Sequence, residues 1–197
     1  MPQMSGRELG IVGADITLFE NVFPDPERLF RDVETEADWR RENITLFGRT
    51  HAMPRLICWM GEKSYRYSGL THPPAPFTPA VRQIAEMAAE IAKTDFNGVL
   101  LNLYRDGRDS MGWHADDEAS LGSKPVIASV SLGAMRRMRF KPKKHFDGVA
   151  FGIDLPNGSL LVMKGDTQTN WLHAVSKTRK TVGSRINLTF REILEDA

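Results

Sequence analysis

The chain has 197 residues, 41% of them hydrophobic and 26% charged, enough for one domain with a sizeable core and too apolar for a disordered segment. A formal charge of +1 means that any affinity for a polyanion must come from local clusters of cations. The only cysteine, Cys58, excludes an internal disulfide and a cysteine-rich zinc site and points to a reducing, cytoplasmic address.

Residues 1–20 carry Arg7, Glu8, Asp15 and Glu20 and lack the basic and apolar regions of a signal peptide. The longest apolar runs, residues 99–104 and 126–135, fall short of the roughly 20 residues a membrane helix needs, so no membrane partner is expected. Neither a repeat period nor a linker interrupts the chain, which favours one domain over residues 1–197, acting as a monomer. Composition shifts once. Residues 1–96 read as irregular with two helices, and residues 97–195 as short strands separated by turns.

In chain order, Asp25 caps a helix begun by Pro26 and carried by Leu29, Phe30 and Val33 at helical spacing. Thr78 and Pro79 open a longer one, with Val81, Ile84, Met87, Ala88 and Ile91 as the stripe that lies on a sheet. Residues 97–105 then alternate, with Val99, Leu101 and Leu103 on one face and Leu100, Asn102 and Tyr104 on the other. Residues 126–132, 135–141, 149–155, 159–163, 171–175 and 184–193 continue as strands, punctuated by Asn157-Gly158 and Lys164-Gly165-Asp166. Strands this short and this regularly spaced form a sandwich or barrel.

His114-Ala115-Asp116 follows the Asn102/Tyr104 strand across a polar loop, and His173 lies on a later strand. Two imidazoles and a carboxylate are the ligand set of a facial triad, which leaves three positions open on a ferrous ion. Alone the pattern is weak, because a His-x-Asp pair is common by chance and a solvated loop histidine fits equally well. On the last strand, period 2 gathers Arg185, Asn187, Thr189 and Arg191 on one face and Ile186, Leu188 and Phe190 on the other. Two guanidiniums with backbones about 20 Å apart can lean in to grip both ends of a short dicarboxylic acid, with Asn102 and Tyr104 adding hydrogen bonds; an exposed edge face is the competing reading.

Asn102-Leu103-Tyr104, then His114-Ala115-Asp116-Asp117-Glu118, His173 and the string Arg185-Ile186-Asn187-Leu188-Thr189-Phe190-Arg191 resemble, in order and spacing, the AlkB family of Fe(II)- and 2-oxoglutarate-dependent dioxygenases. The resemblance runs over residues 47–194 and is nearest the family's duplex-acting branch. It implies a mainly β fold with flanking helices: a double-stranded β-helix (jelly roll) core with an N-terminal nucleotide-recognition lid. It implies iron held by His114, Asp116 and His173, and 2-oxoglutarate held by Arg185 at its far carboxylate and by Arg191, Asn102, Tyr104, Asn187 and Thr189. The implied activity consumes O2 and 2-oxoglutarate to demethylate 1-methyladenine or 3-methylcytosine in DNA, in single or double strands, or in RNA.

The same resemblance places the substrate. Tyr67 would stack on the base opposite His114, Tyr65 would hydrogen bond to the same nucleotide, and Asp117 and Glu118 would face the cationic lesion; simple packing of both tyrosines on a strand and a solvated acidic loop are the competing readings. Leu46-Phe47-Gly48, followed by Pro54-Arg55, resembles a hairpin whose apolar tip, Phe47, fills the gap left by a flipped base, although Phe47 also reads as core. Phosphates would meet Arg136, Arg137, Arg139, Lys141, Lys143 and Lys144, with Lys177, Arg179 and Lys180 near the end. The shortness of residues 136–144 and the presence of Thr178 weaken a duplex preference. An oxygenase for RNA, protein or lipid, a binding module without metal, and a zinc hydrolase are the other readings; the hydrolase leaves the two strand arginines unexplained. Replacing Phe47 with Ala is expected to lower demethylation of a methylated duplex more than of the single strand, and equal losses on both would remove the wedge role.

Overall fold

The computed structural model describes residues 5–46, 49–67 and 70–195. Its elements in chain order are β1 (Arg7–Glu8), β2 (Asp15–Phe19), α1 (Pro26–Glu36), β3 (Asn43–Leu46), β4 (Arg49–Ala52), β5 (Leu56–Gly61), β6 (Tyr65–Tyr67), β7 (Leu70–His72) and α2 (Pro79–Ala92). They continue with β8 (Gly98–Tyr104), β9 (Met111–His114), β10 (Ile127–Gly133), β11 (Arg136–Pro142), β12 (Phe151–Leu155), β13 (Ser159–Lys164), α3 (Thr167–Asn170), β14 (Trp171–Val175) and β15 (Arg185–Arg191).

Both helices begin where the sequence signals them. The Asp25 carboxylate accepts from the Arg28 N–H at 2.9 Å and Pro26 opens the first turn of α1. Thr78 precedes α2 but makes no capping bond; the carboxylate of Glu36, at the end of α1, accepts from the Ala80 N–H at 3.0 Å instead and ties the two helices together. Leu29 and Val33 of α1 and Val81, Ile84 and Ala88 of α2 are buried against the sheet.

An antiparallel principal sheet runs β1-β2-β13-β10-β15-β8-β5, and a second one runs β12-β11-β14-β9. The outer face of the principal sheet, with Val99, Leu101, Leu103, Val130, Ile186, Leu188 and Phe190, packs on the helices. Its inner face meets the second sheet, where Ile16, Trp59, Leu100, Phe140, Ile153 and Trp171 form a separate apolar cluster. The alternation expected of β8 and β15 is the one observed, with one difference. β15 lies between β10 and β8 and is buried on both faces, so its arginine face lines the interior of a sandwich and is no exposed edge.

Two other expectations are corrected. Residues 1–96 are not irregular apart from helices: β1, β2 and β5 join the principal sheet, so the jelly roll is not confined to residues 97–195. β2 has only five residues, and β5 is a nearly continuous apolar run that carries no period because both of its faces are covered. The supposed loop before His114 contains β9, a four-residue edge strand specified by its pairing with β14 and not by any alternation of its own. Leu188→Ala, at a fully buried position of β15, is expected to cost about 2–5 kcal/mol in urea unfolding, whereas Val12→Ala, at a side chain 78% exposed, should stay within about 0.5 kcal/mol.

Candidate active site

β9 and β14 pair so that His114 and His173 stand directly opposite, their ring centroids 4.2 Å apart. The Gly112 carbonyl lies 2.9 Å from His114 Nδ1, and a carbonyl only accepts. Nδ1 therefore carries the proton and Nε2 keeps a free lone pair. Asp116 lies two residues beyond the end of β9, and its N–H donates to Gln168 Oε1 at 2.9 Å, which anchors the loop to α3. His114, Asp116 and His173 offer donor atoms that all lie within 4.8 Å of one another.

The Asp116 carboxylate is divided between two tasks. Arg191 donates to Oδ1 through both Nη2 and Nε, the latter at 3.2 Å. Oδ2 is buried, has no hydrogen-bond partner and sits 3.4 Å from His173 Nε2. Adjacent ligands at about 2.1 Å from one ion are about 3 Å apart, so an orphaned carboxylate oxygen beside two imidazoles fits a divalent metal. Burial alone would raise Asp116; the Arg191 guanidinium, backed by His173 and His114, overcomes it and holds the carboxyl well below its usual range. Burial, together with the neighbouring His173 ring, pushes His114 down to about 3, so the ring is neutral and able to ligate.

A second orphan lies along β15. Arg185 is fully buried; its Nη2 donates to Ser131 Oγ at 2.8 Å and its guanidinium stands 5.2 Å over the Tyr104 ring, while Nε and Nη1 have no partner. Burial, with the nearby Arg136 charge adding to it, pulls this guanidinium down to about 10. A buried cation with two open donors fits a carboxylate group.

The structure modifies the other anchors. Each Arg191 nitrogen already donates to Asp116 or to the Thr189 carbonyl, so Arg191 braces the carboxylate, and Arg185 is the guanidinium with two nitrogens open. Asn187 donates to Ser129 Oγ at 2.9 Å and to the Val130 carbonyl at 3.0 Å, and accepts from Thr189 Oγ1 at 3.1 Å, which makes both residues braces of the cavity wall. Asn102 Oδ1 accepts from Arg55 Nε at 2.6 Å. The buried Arg55 thus belongs beside the cavity and not to the hairpin with which the sequence grouped it. Tyr104 is buried, with its hydroxyl 3.7 Å from Met111 Sδ.

On the substrate side, Tyr65 is fully buried, stacked on Trp59 at 4.5 Å and lying 5.3 Å from the Arg191 guanidinium. Its hydroxyl donates to Glu118 Oε1 at 2.9 Å, so it is engaged within the protein, and Glu118 is no solvated loop residue. Burial raises the Glu118 carboxyl, and its Oε2 has no hydrogen-bond partner. Asp117 pairs with Lys143 at 2.7 Å. Phe47 lies outside the described residues, as does the side chain of Tyr67. Arg136 is not a phosphate contact: it is buried and donates to the carbonyls of Asp106, Asp109 and Ser176. Arg137 pairs with Asp154, whereas Lys177, Arg179 and Lys180 are exposed after β14.

A family model described as the 2OG-Fe(II) oxygenase superfamily matches residues 15–191. The chain belongs to that superfamily and, within it, to the AlkB family. It is 40% identical over 190 residues to the alpha-ketoglutarate-dependent dioxygenase alkB homolog 3 of Bos taurus, covering 92% of this chain and 64% of that one. It is 34% identical over 183 residues to the DNA oxidative demethylase ALKBH2 of Mus musculus, covering 86% of this chain and 76% of that one. The chain thus spans somewhat under two thirds of the homolog 3 proteins it matches. The solved structure of OsALKBH1 superposes with a TM-score of 0.70 at 16% identity, over 95% of this chain and all of that one, a likeness of fold.

The Asp116–Arg191 pair gives a test in the metal-free protein. Arg191→Met leaves a buried carboxylate without its counter-charge and is expected to cost about 3–5 kcal/mol in urea unfolding at pH 7. Because Asp116 is depressed in the folded chain, the pair stabilises the fold above about pH 4, and that contribution fades as pH falls towards the depressed folded value. The deficit of the variant should therefore be largest near neutrality and shrink in acid.

Proposed function

We propose that the chain removes N-methyl groups from alkylated nucleic-acid bases, with 1-methyladenine and 3-methylcytosine in DNA as its substrates. The observation that carries this is the junction of two sites: the His114–Asp116–His173 donors and, joined to them through Arg191 and Tyr65, the half-buried Glu118, whose Oε2 is buried without a hydrogen-bond partner. The names of the two relatives, a dioxygenase and a DNA oxidative demethylase, support the same reaction class.

Bound Fe(II), with 2-oxoglutarate and O2, supplies the oxidising chemistry: one oxygen atom enters succinate as the keto acid loses CO2, and the other converts N–CH3 to N–CH2OH, which releases formaldehyde. The protein's residues set the stage for it. His114, Asp116 and His173 hold the ion. Arg185 orients the keto acid from its far end through the two open donors. Tyr104 and the braced Asn187–Thr189 pair shape the cavity wall between the sheets, which excludes water. Glu118 provides negative charge that favours a methylated, cationic ring over the neutral parent base.

Among the described residues no helix is long and apolar enough to cross a membrane. The lone, buried thiol of Cys58 fits a reducing compartment, and a monomer working in the cytoplasm is part of the same proposal. The test is anaerobic loading with Fe(II) and 2-oxoglutarate, followed by O2 and an oligonucleotide bearing 1-methyladenine. Succinate and formaldehyde should appear together; Asp116→Ala should release neither, and Arg185→Ala should raise the 2-oxoglutarate KM at least about tenfold, as expected for loss of a charged contact of about 1.5–3 kcal/mol. Undiminished demethylation by Asp116→Ala would contradict the proposal.

A further inference from the structure

Five large hydrophobic side chains are exposed among the described residues, and Trp113, at 40%, is the aromatic one. It lies on β9, the edge strand of the second sheet, one residue before His114. Because successive side chains of a strand point to opposite faces, His114 turns into the sandwich and Trp113 turns out.

Alternation on β11 supplies the indole's neighbours. Arg136, Met138 and Phe140 are buried inward, and Arg137, Arg139 and Lys141 point to the outer face. Arg137 is held by Asp154. Lys141 Nζ lies 4.7 Å from the Trp113 ring centroid and the Arg139 guanidinium 5.9 Å. β14 runs between the two strands, and the residues registered opposite Arg139 and Lys141 are Ala174 and Leu172, which lack charge. Among the described residues neither cation is paired with a carboxylate.

We infer that Trp113, Arg139 and Lys141 form a docking platform for single-stranded nucleic acid, in which an unpaired base flanking the target stacks on the indole while its phosphates meet the two cations. This rests on the nucleic-acid reading above and extends it from the buried site to the outer face of the sheet. Stacking on an aromatic side chain joined to cations that track the backbone is how single strands are held without sequence preference. An acidic protein partner would satisfy the cations but would leave the indole without a planar ring to stack on. Inside a duplex the flanking bases are already stacked on both faces, so the platform favours the single strand.

The test uses the full chain and a fluorescently labelled, unmethylated oligonucleotide of about twelve nucleotides, within the usual site size for single strands, with the same sequence as a duplex for comparison. Anisotropy titrations are run over a range of salt concentrations, and thermal unfolding verifies the fold of each variant. Trp113→Ala should weaken single-strand binding about tenfold and duplex binding less than twofold, with the salt dependence unchanged; Trp113→Phe should recover most of the loss. Lys141→Ala should reduce the slope of log K against log salt by about 0.7, as expected for one lost phosphate contact on a single strand. A Trp113→Ala protein that binds the single strand like the parent, or that loses single strand and duplex equally, would overturn the platform alone. A parent protein that consumes 2-oxoglutarate yet binds no oligonucleotide would overturn the nucleic-acid reading with it.

Discussion

A single buried carboxylate, Asp116, has one oxygen fixed by Arg191 and the other left open toward two imidazoles. Burying such a pair contributes little net stability, because the desolvation of both ions offsets their attraction. What it does provide is orientation. With Oδ1 pinned from the end of β15, Oδ2 has one direction left, toward His173 on β14 and His114 on β9. Three elements distant in sequence are thereby brought to one point before any ion binds, which is the support a metal site needs around its ligands.

The rest of the sandwich accommodates this polar interior. β15 carries apolar side chains to the helices and polar ones to the cavity, and the neighbouring strands follow suit: Ser129 and Ser131 on β10, Asn102 and Tyr104 on β8. Most polar atoms of the stripe bond to one another, as buried groups must. The exceptions, Asp116 Oδ2 and two nitrogens of Arg185, lie where a cation and an anion respectively would satisfy them. Unsatisfied buried groups are destabilising, so an open carboxylate oxygen beside two imidazoles, and a buried guanidinium with two open nitrogens, mark ligand binding more than packing.

Much of this was legible in the residues. Period 2 separated Arg185, Asn187, Thr189 and Arg191 from Ile186, Leu188 and Phe190, the apolar stripes marked α1 and α2, and the Asp25 cap marked the start of α1. The triad followed from residue type and from the family pattern. What stayed hidden depends on tertiary pairing. β9 is too short to show alternation, and β5 is apolar throughout because it is covered on both sides. Gln168 escaped notice, and Arg55 was grouped with a hairpin, because each acts through a partner far along the chain, Asp116 and Asn102, with no local signal to mark it. Arg136 was grouped with its charged neighbours although alternation on β11 sends it inward, and the pairing of Arg191 with Asp116 joins residues 75 apart that no local pattern links.

The arrangement of the carboxylate is most directly tested by a crystal structure of the protein loaded anaerobically with Fe(II) and 2-oxoglutarate. The ion should sit on His114 Nε2, Asp116 Oδ2 and His173 Nε2, with Arg191 still on Oδ1 and a 2-oxoglutarate carboxylate on the open nitrogens of Arg185. An ion bound elsewhere, or an Asp116 that releases Arg191 to reach it, would contradict the preset geometry.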